Sequence, residues 1–425
     1  MSEAFFEKID VFLPGQGETL TQAPAYHWER AEHAIGHIYY STQEPKSVLI
    51  HLKGMTRQQR KALADMPVEV DFSALKYHDF DGFGVHLPGL IVTAQGSVIA
   101  VCQKRHHSMG DGGHQIDILM SRSDDGGMTW QRQVVIFGEK DTYTYLGPIF
   151  FDCTTGAVWV AFWKMPATVL DDLGYFSEYA KQGGGFWLLK SIDDGRSWSD
   201  PFYVRPQPND DEWVGWPNNN VHGIQLAFGT RKGRLVIPAF LYKAGEPGQV
   251  PGVRGGLLYS DDHGQSWWAG AVLPEGSDEV SLVETAAGGI YVSYRKNTRA
   301  TGKRHFARSS DAGETFCQHG QHEEVPDAGL HAGLTRYRRG GDRAENILLF
   351  SNPSPARDMT IRMSRDQGRS WPISRRLEAG LSRYSDLAVT ADGTILCLYT
   401  NGKVRDSEKI SVARFNLEWL TATNR

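Results

Sequence analysis

Ser260-Asp261-Asp262-His263-Gly264-Gln265-Ser266-Trp267 is the stretch on which the fold turns. Its skeleton is Ser-x-Asp-x-Gly-x-x-aromatic. An Asp carboxylate can take the backbone N–H groups just ahead of it and close a turn. The glycine supplies a positive φ that a Cβ would penalise. The aromatic ring packs into the hairpin and anchors it. A short strand precedes each copy, for example Gln115-Ile116-Asp117-Ile118-Leu119-Met120. On this mechanism the Asp residues hold turns; they are neither catalytic acids nor metal ligands.

Working outward, the skeleton recurs at Ser123-Asp125-Gly127-Trp130, Ser191-Asp193-Gly195-Trp198, Ser309-Asp311-Gly313-Phe316 and Ser364-Asp366-Gly368-Trp371. From Ser123 to Ser364 the serines step by 68, 69, 49 and 55 residues, room for four short strands and their turns at each step. A unit repeated along the whole chain is the signature of a repeat architecture. Twelve Trp and 46 Gly in 425 residues suit an all-β protein with many tight turns. The motif resembles the Asp-box repeat of the sialidase (neuraminidase) superfamily. That resemblance implies an all-β, six-bladed β-propeller, with the boxes on the rim opposite the active site and one blade without a box.

Residues 1–80 carry no box and are expected to form an extension that packs on or closes the propeller, which then occupies 81–425. Within the extension, Ser47–Leu52 reads as a strand and Gln58–Ala64 as briefly helical. Two long stretches, Ala167–Gly185 and Pro206–Asn220, read as loops of the kind that line ligand sites on a rigid scaffold.

The formal charge of −5 and the absence of a basic run argue against a nucleic-acid surface, so any anion must be bound locally. Cys102, Cys153, Cys317 and Cys397 have no CxxC spacing, and Cys102 and Cys397 sit in apolar runs, which points to buried thiols. No His pair has zincin spacing, and no glycine-rich nucleotide loop follows a strand, so neither metal nor cofactor is expected. No run approaches a membrane span, and the N-terminus lacks a charged-then-apolar leader. A cytoplasmic location is the default expectation; a trimmed secreted form would look the same.

The resemblance also sets out the chemistry to look for. Sialidases cleave a ketoside whose anomeric carbon bears a carboxylate. A neutral Tyr hydroxyl activated by a neighbouring Glu avoids the repulsion that a carboxylate nucleophile would meet. Guanidinium forks suit the substrate carboxylate, and an Asp protonates the leaving oxygen. Ser382-Arg383-Tyr384-Ser385-Asp386-Leu387 is similar to the segment holding the nucleophilic Tyr, which makes Tyr384 the candidate. Ser277-Asp278-Glu279-Val280-Ser281-Leu282-Val283-Glu284 resembles the string whose first Glu partners that Tyr, here Glu279. Arg295 follows sixteen residues after Glu279, at the place of a carboxylate-binding Arg. Arg357, in Asn352-Pro353-Ser354-Pro355-Ala356-Arg357, fits the third such Arg and is preferred over Arg362. Arg105 fits the Arg near the sugar ring, with Asp111 six residues on as the acid/base. Val221-His222-Gly223-Ile224-Gln225-Leu226 also resembles the family and is expected to bring His222 and Gln225 near the pocket.

The likeness breaks at linked positions. His86 stands where the family has its first carboxylate-binding Arg. Thr400 stands where a Glu holds that Arg, and Gln103 where a Glu commonly precedes Arg105. Loss of the Arg would leave its Glu as a costly unpaired buried charge, so the paired replacement is what electrostatics expects. A rebuilt anion site follows, with His86, in its neutral or its protonated form, Arg295 and Arg357. Three readings stay open: an exo-glycosidase acting on a sialic-acid-like sugar or sialoglycoconjugate, a propeller that binds an acidic glycan without cleaving it, or a lyase on the same scaffold.

Overall fold

The computed structural model describes residues 3–13, 84–105, 115–140, 142–166, 185–218, 221–243, 252–296, 302–338, 346–353, 357–403 and 406–422, with the backbone of a hairpin pairing Ile38–Ser41 with Pro45–Val48. That hairpin's second strand stands close to the expected one at 47–52; the helical turn expected at 58–64 lies outside the described residues.

Six antiparallel sheets, each four strands deep, form a six-bladed β-propeller. The first strands of the blades are Gly84–Val92, Thr142–Asp152, Trp213–Pro217, Ser277–Glu284, Gly333–Arg336 and Ser382–Val389. Around the central axis neighbouring first strands pack on one another, except in the third blade, where Ile224–Gln225 rather than Trp213–Pro217 makes the main contacts with the first strands of the second and fourth blades. The third blade departs from the rule. Its first strand ends at Pro217, and the chain then crosses to Ile224–Gln225, which pairs with the same second strand, Leu235–Lys243. At the crossing, His222 bridges Ile149 of the second blade.

The sixth blade closes the ring. Its outermost strand is Phe6–Phe12, paired antiparallel with Lys409–Phe415 in the register Phe6 to Phe415. The far N-terminal segment of the extension is therefore a propeller strand. This explains the missing sixth box: after Lys409–Phe415 the chain enters a short helix, Leu417–Thr421, capped by Asn416, and no turn joins third strand to fourth.

The five boxes are built as the local physics requires. In each, the Ser Oγ accepts the Gly N–H and donates to the Asp Oδ1, as at Ser260–Gly264 and Ser260–Asp262, both 2.8 Å. The seventh residue, Ser or Thr throughout, gives its N–H to one Asp oxygen and its hydroxyl to the other, as Thr129 does with Asp125. The hydroxyl and N–H of Ser197 pull Asp193 down to about 2. Neighbouring blades are tied through the boxes. Arg122, Arg234, Arg308 and Arg414 each donate to the carbonyl preceding the box glycine of the next blade, at Asp194, Ala312, Gln367 and Gly126. A Cβ on Gly195, where φ is +82°, would come within 2.7 Å of Ile99 Cδ1, so this close blade contact requires glycine.

Candidate active site

Strand direction sorts the candidate residues by rim. The box turns follow third strands, so the starts of first strands and the ends of second strands share the opposite rim. His86, Glu279 and Tyr384 lie near first-strand starts, and Arg105 and Arg295 near second-strand ends. Arg357 joins this rim through a backbone bridge to Leu381, and its side chain is exposed.

A repeated irregularity aims these side chains. The first strands of four blades lose register close to this rim: between His86 and Gly89, Leu146 and Ile149, Ser277 and Val280, and Ser382 and Ser385. An extra residue in a strand bends it and redirects its side chains, and such bulges gather at functional sites. Here the shifts bracket Asp278, Glu279 and Tyr384 and begin at His86. Leu87, within the first, takes φ 56°, rare for a branched residue.

Arg295 is the electrostatic centre. Its Nη2 donates to Asp278 Oδ2 at 2.8 Å, and its Nη1 donates to the Gly329 carbonyl. Its Nε lies 3.0 Å from Glu279 Oε2, a charge contact whose N–H direction misses hydrogen-bond geometry. Burial opposes the charge of Arg295, but Asp278 and Glu279, then Tyr384 and Tyr145, overcome it and hold the guanidinium well above its ordinary value. Blades two, four and six thus contribute to one electrostatic neighbourhood around Arg295. Glu284, the second acid of the Glu279 string, lies at the far end of the strand and accepts the N–H groups of Ala227 and Phe228 instead.

Tyr384 is 7% exposed and meets the edge of His86, with ring centroids 4.6 Å apart. The Arg383 guanidinium stands 5.5 Å from the Tyr384 ring centroid. Beside it, Tyr145 stacks on Trp163 at 4.7 Å, and Trp216 meets Trp163 edge-on. Arg105 is buried and donates from Nε to Gln103 Oε1 at 3.0 Å, so a neutral amide stands where a carboxylate would have paired with it.

Of the two forms open to His86, the structure favours the neutral one, and one expectation, that for Gln225, needs correction. Burial, then the charges of Arg105 and Arg383, push His86 well below the ordinary histidine value, so it is neutral at pH 7. Gln225 is not at the pocket. Its amide donates to Asp152 Oδ1 at 2.7 Å and to the Gly233 carbonyl, and its oxygen accepts the Cys153 N–H, all on the box rim. His222 lies between the two rims, at the axis. Its Nδ1 is 2.9 Å from Asp386 Oδ1. Burial lowers its affinity for a proton, but Asp386 outweighs that and raises it. Asp111 lies outside the described residues. Arg362 reaches the Asn352 side chain and is drawn down to about 10 by burial.

Three further residues carry the arrangement without having been singled out in the sequence. Asp278 anchors Arg295. Arg304, 1% exposed, donates to the Leu330 carbonyl and Ser293 Oγ and lies 3.4 Å from Asp327, so it fixes the loop whose Gly329 carbonyl meets Arg295. Asp386 is fully buried and accepts the N–H groups of Leu90 and Leu387 besides facing His222, which joins the sixth blade to the first directly beneath Tyr384. A buried charge on a strand of apolar neighbours, two residues from Tyr384, is the signal that marks Asp386.

Fold and site together define a six-bladed propeller of sialidase type with a mouth that carries arginines, acids and a phenol. The chain belongs to the BNR repeat-like domain family, whose match runs over residues 98–397. A sialidase of Micromonospora viridifaciens is 29% identical over 367 residues, covering 80% of this chain and 53% of that protein. A sialidase of Bacteroides fragilis is 26% identical over 392 residues, covering 84% and 68%. This chain thus spans about half the length of the Micromonospora relative. Among solved structures, the Hadza microbial sialidase Hz136 superposes with a TM-score of 0.67 at 25% identity, over 80% of this chain and 67% of that one. The intramolecular trans-sialidase of Ruminococcus gnavus, solved with oseltamivir carboxylate, gives a TM-score of 0.64 at 17% identity, over 81% and 96%, a likeness of fold.

Proposed function

We propose that this mouth is the active site of an exo-glycosidase that removes a terminal sialic-acid-like residue from a glycoconjugate. Glu279 accepts the Tyr384 proton as the phenolic oxygen attacks the anomeric carbon. Asp111 gives its proton to the departing glycosidic oxygen, whose bond to that carbon breaks. Water then attacks the tyrosyl-bound sugar, with the proton returning to Asp111 and the phenolic oxygen leaving with the proton held by Glu279. Arg295 and the exposed Arg357 take the sugar carboxylate, and Arg105 lies beside the ring. His86, neutral and edge-on to Tyr384, supplies shape and one hydrogen bond rather than charge.

The observation that carries this reading is that Glu279 stands 3.0 Å from the Arg295 guanidinium, on the rim where Tyr384 and Tyr145, from two other blades, pack into one buried cluster. Its test is turnover of a fluorogenic ketoside of N-acetylneuraminic acid by the unaltered protein and by Tyr384→Phe. The expected result is loss of turnover by a factor of a thousand or more, on the order of removing a nucleophile, with sugar binding retained. Equal turnover by the two proteins would refute the role of Tyr384.

A further inference from the structure

The site holds an internal rival for its own ligand. Arg295 is the cation that the proposed function assigns to a sugar carboxylate, and two resident carboxylates already face it: Asp278 Oδ2 at 2.8 Å from Nη2 and Glu279 Oε2 at 3.0 Å from Nε. A backbone carbonyl, that of Gly329, takes Nη1. One positive charge therefore meets two negative ones, and two nitrogens of the fork already donate to acceptors. Glu279 has a part in the proposed chemistry. Asp278 has none: its side chain is 11% exposed and accepts from Arg295. Arg304 beneath has its own counter-charge in Asp327 at 3.4 Å, so Arg295 remains one cation between two acids.

We propose that Asp278 is a specificity-determining residue of this pocket, whose carboxylate competes with the carboxylate of the sugar for Arg295 and keeps the grip on that anion weak. The inference rests on the proposed role of Arg295. An incoming carboxylate must share the fork with a like charge already bonded to it, and the repulsion between the two weakens its hold. The same charge leaves recognition of the neutral parts of the sugar untouched, so the pocket discriminates little between a sugar acid and its uncharged ester.

The test measures binding of N-acetylneuraminic acid and of its methyl ester by titration calorimetry, in the unaltered protein and in Asp278→Asn. The substitution keeps shape, and the strand stays held because Asn218 bonds the Asp278 backbone carbonyl and not its side chain. Asp278→Asn should tighten the acid about tenfold, the low end of what a hydrogen bond to a charged group is worth, and leave the ester unchanged. Asp278→Ser should show the same selectivity, which covers failure of the first variant to fold. Unchanged or weaker acid binding, or equal tightening of acid and ester, would overturn the proposal. If the unaltered protein turns over the ketoside and Asp278→Asn fails to tighten the acid, this inference alone falls. If no protein binds either sugar or shows turnover, the reading of the site falls with it.

Discussion

Replacing Asp386 by Asn should uncouple the floor of the site from the blades that hold it. Asp386 is fully buried and accepts three hydrogen bonds, from Leu90 N–H at 2.8 Å, from Leu387 N–H at 2.8 Å and from His222 Nδ1 at 2.9 Å. The amide offers one oxygen where the carboxylate offers two, and its NH2 must then face a donor. Each hydrogen bond to a charged acceptor is worth about 1.5–3 kcal/mol, and breaking a buried ion pair by removing one partner costs about 3–5 kcal/mol. A loss of about 4 kcal/mol is therefore expected. For a chain of this length the unfolding entropy is on the order of 0.9 kcal/mol per degree, which converts the loss to a fall of about 4 °C in melting temperature. Scanning calorimetry at several pH values reads both the size and the sign. His222 is raised in the folded state, so its pairing stabilises the fold fully below the ordinary histidine value of 6.5 and fades as pH rises through the raised value. The gap between the two proteins should be widest in mild acid and narrow toward alkaline pH, leaving the share due to the two backbone donors. His86 and His331 are depressed by burial and act with the opposite sign, but they do so in both proteins and cancel in the difference. A gap below about 1 °C, or one that widens as pH rises, would refute the reasoning.

Four other outcomes follow from the same geometry. His86→Arg alone should lower the melting temperature, because the new cation joins Arg105 and Arg383 where Gln103 and Thr400 offer no carboxylate; adding Thr400→Glu should recover stability and raise turnover of the ketoside, and a double variant no better than the single one would count against the linkage. Gln225→Ala should leave ketoside turnover within about twofold, since the side chain serves the opposite rim; a larger loss in steady-state kinetics would put Gln225 back at the site. Gly195→Ala should cost about 2 kcal/mol in thermal melting, from the positive φ and the 2.7 Å approach to Ile99 together, and a neutral result would show that the blades yield there. Arg122→Met should cost about 3–5 kcal/mol, because it strands the buried Asp194 carboxylate between two blades; an unchanged melting temperature would mean that Ser97 alone satisfies that group.

The parts legible in the sequence are those whose bonds are short-range. Every bond inside a box joins residues within four positions of each other, so Ser123 to Trp130 carries its turn wherever the rest of the chain goes. The hydroxyl that recurs at Thr129, Ser197, Ser266, Thr315 and Ser370 belongs to the same local set. Tyr384, Glu279 and Arg295 were also legible, because each sits in a local string tied to a strand end. Their aim was not, since the bulges that turn them show only in register against a partner strand. The misplacement of Gln225 has the same cause. Val221–Leu226 crosses between rims, so His222 meets Asp386 midway along the propeller while Gln225, three residues on, already serves the box rim.

The sequence alone determined the count of box turns and the blade spacing, because these rest on hydrogen bonds and side-chain types that need no distant partner. Only the tertiary structure decided which strand closes the ring, that His86 is neutral and that Asp278 stands on Arg295. The closing strand is set by pairing between the two ends of the chain, the Asp278 contact by the bulged register of two strands of one blade, and the neutral His86 by burial and charge that add up only once the chain has closed around its axis.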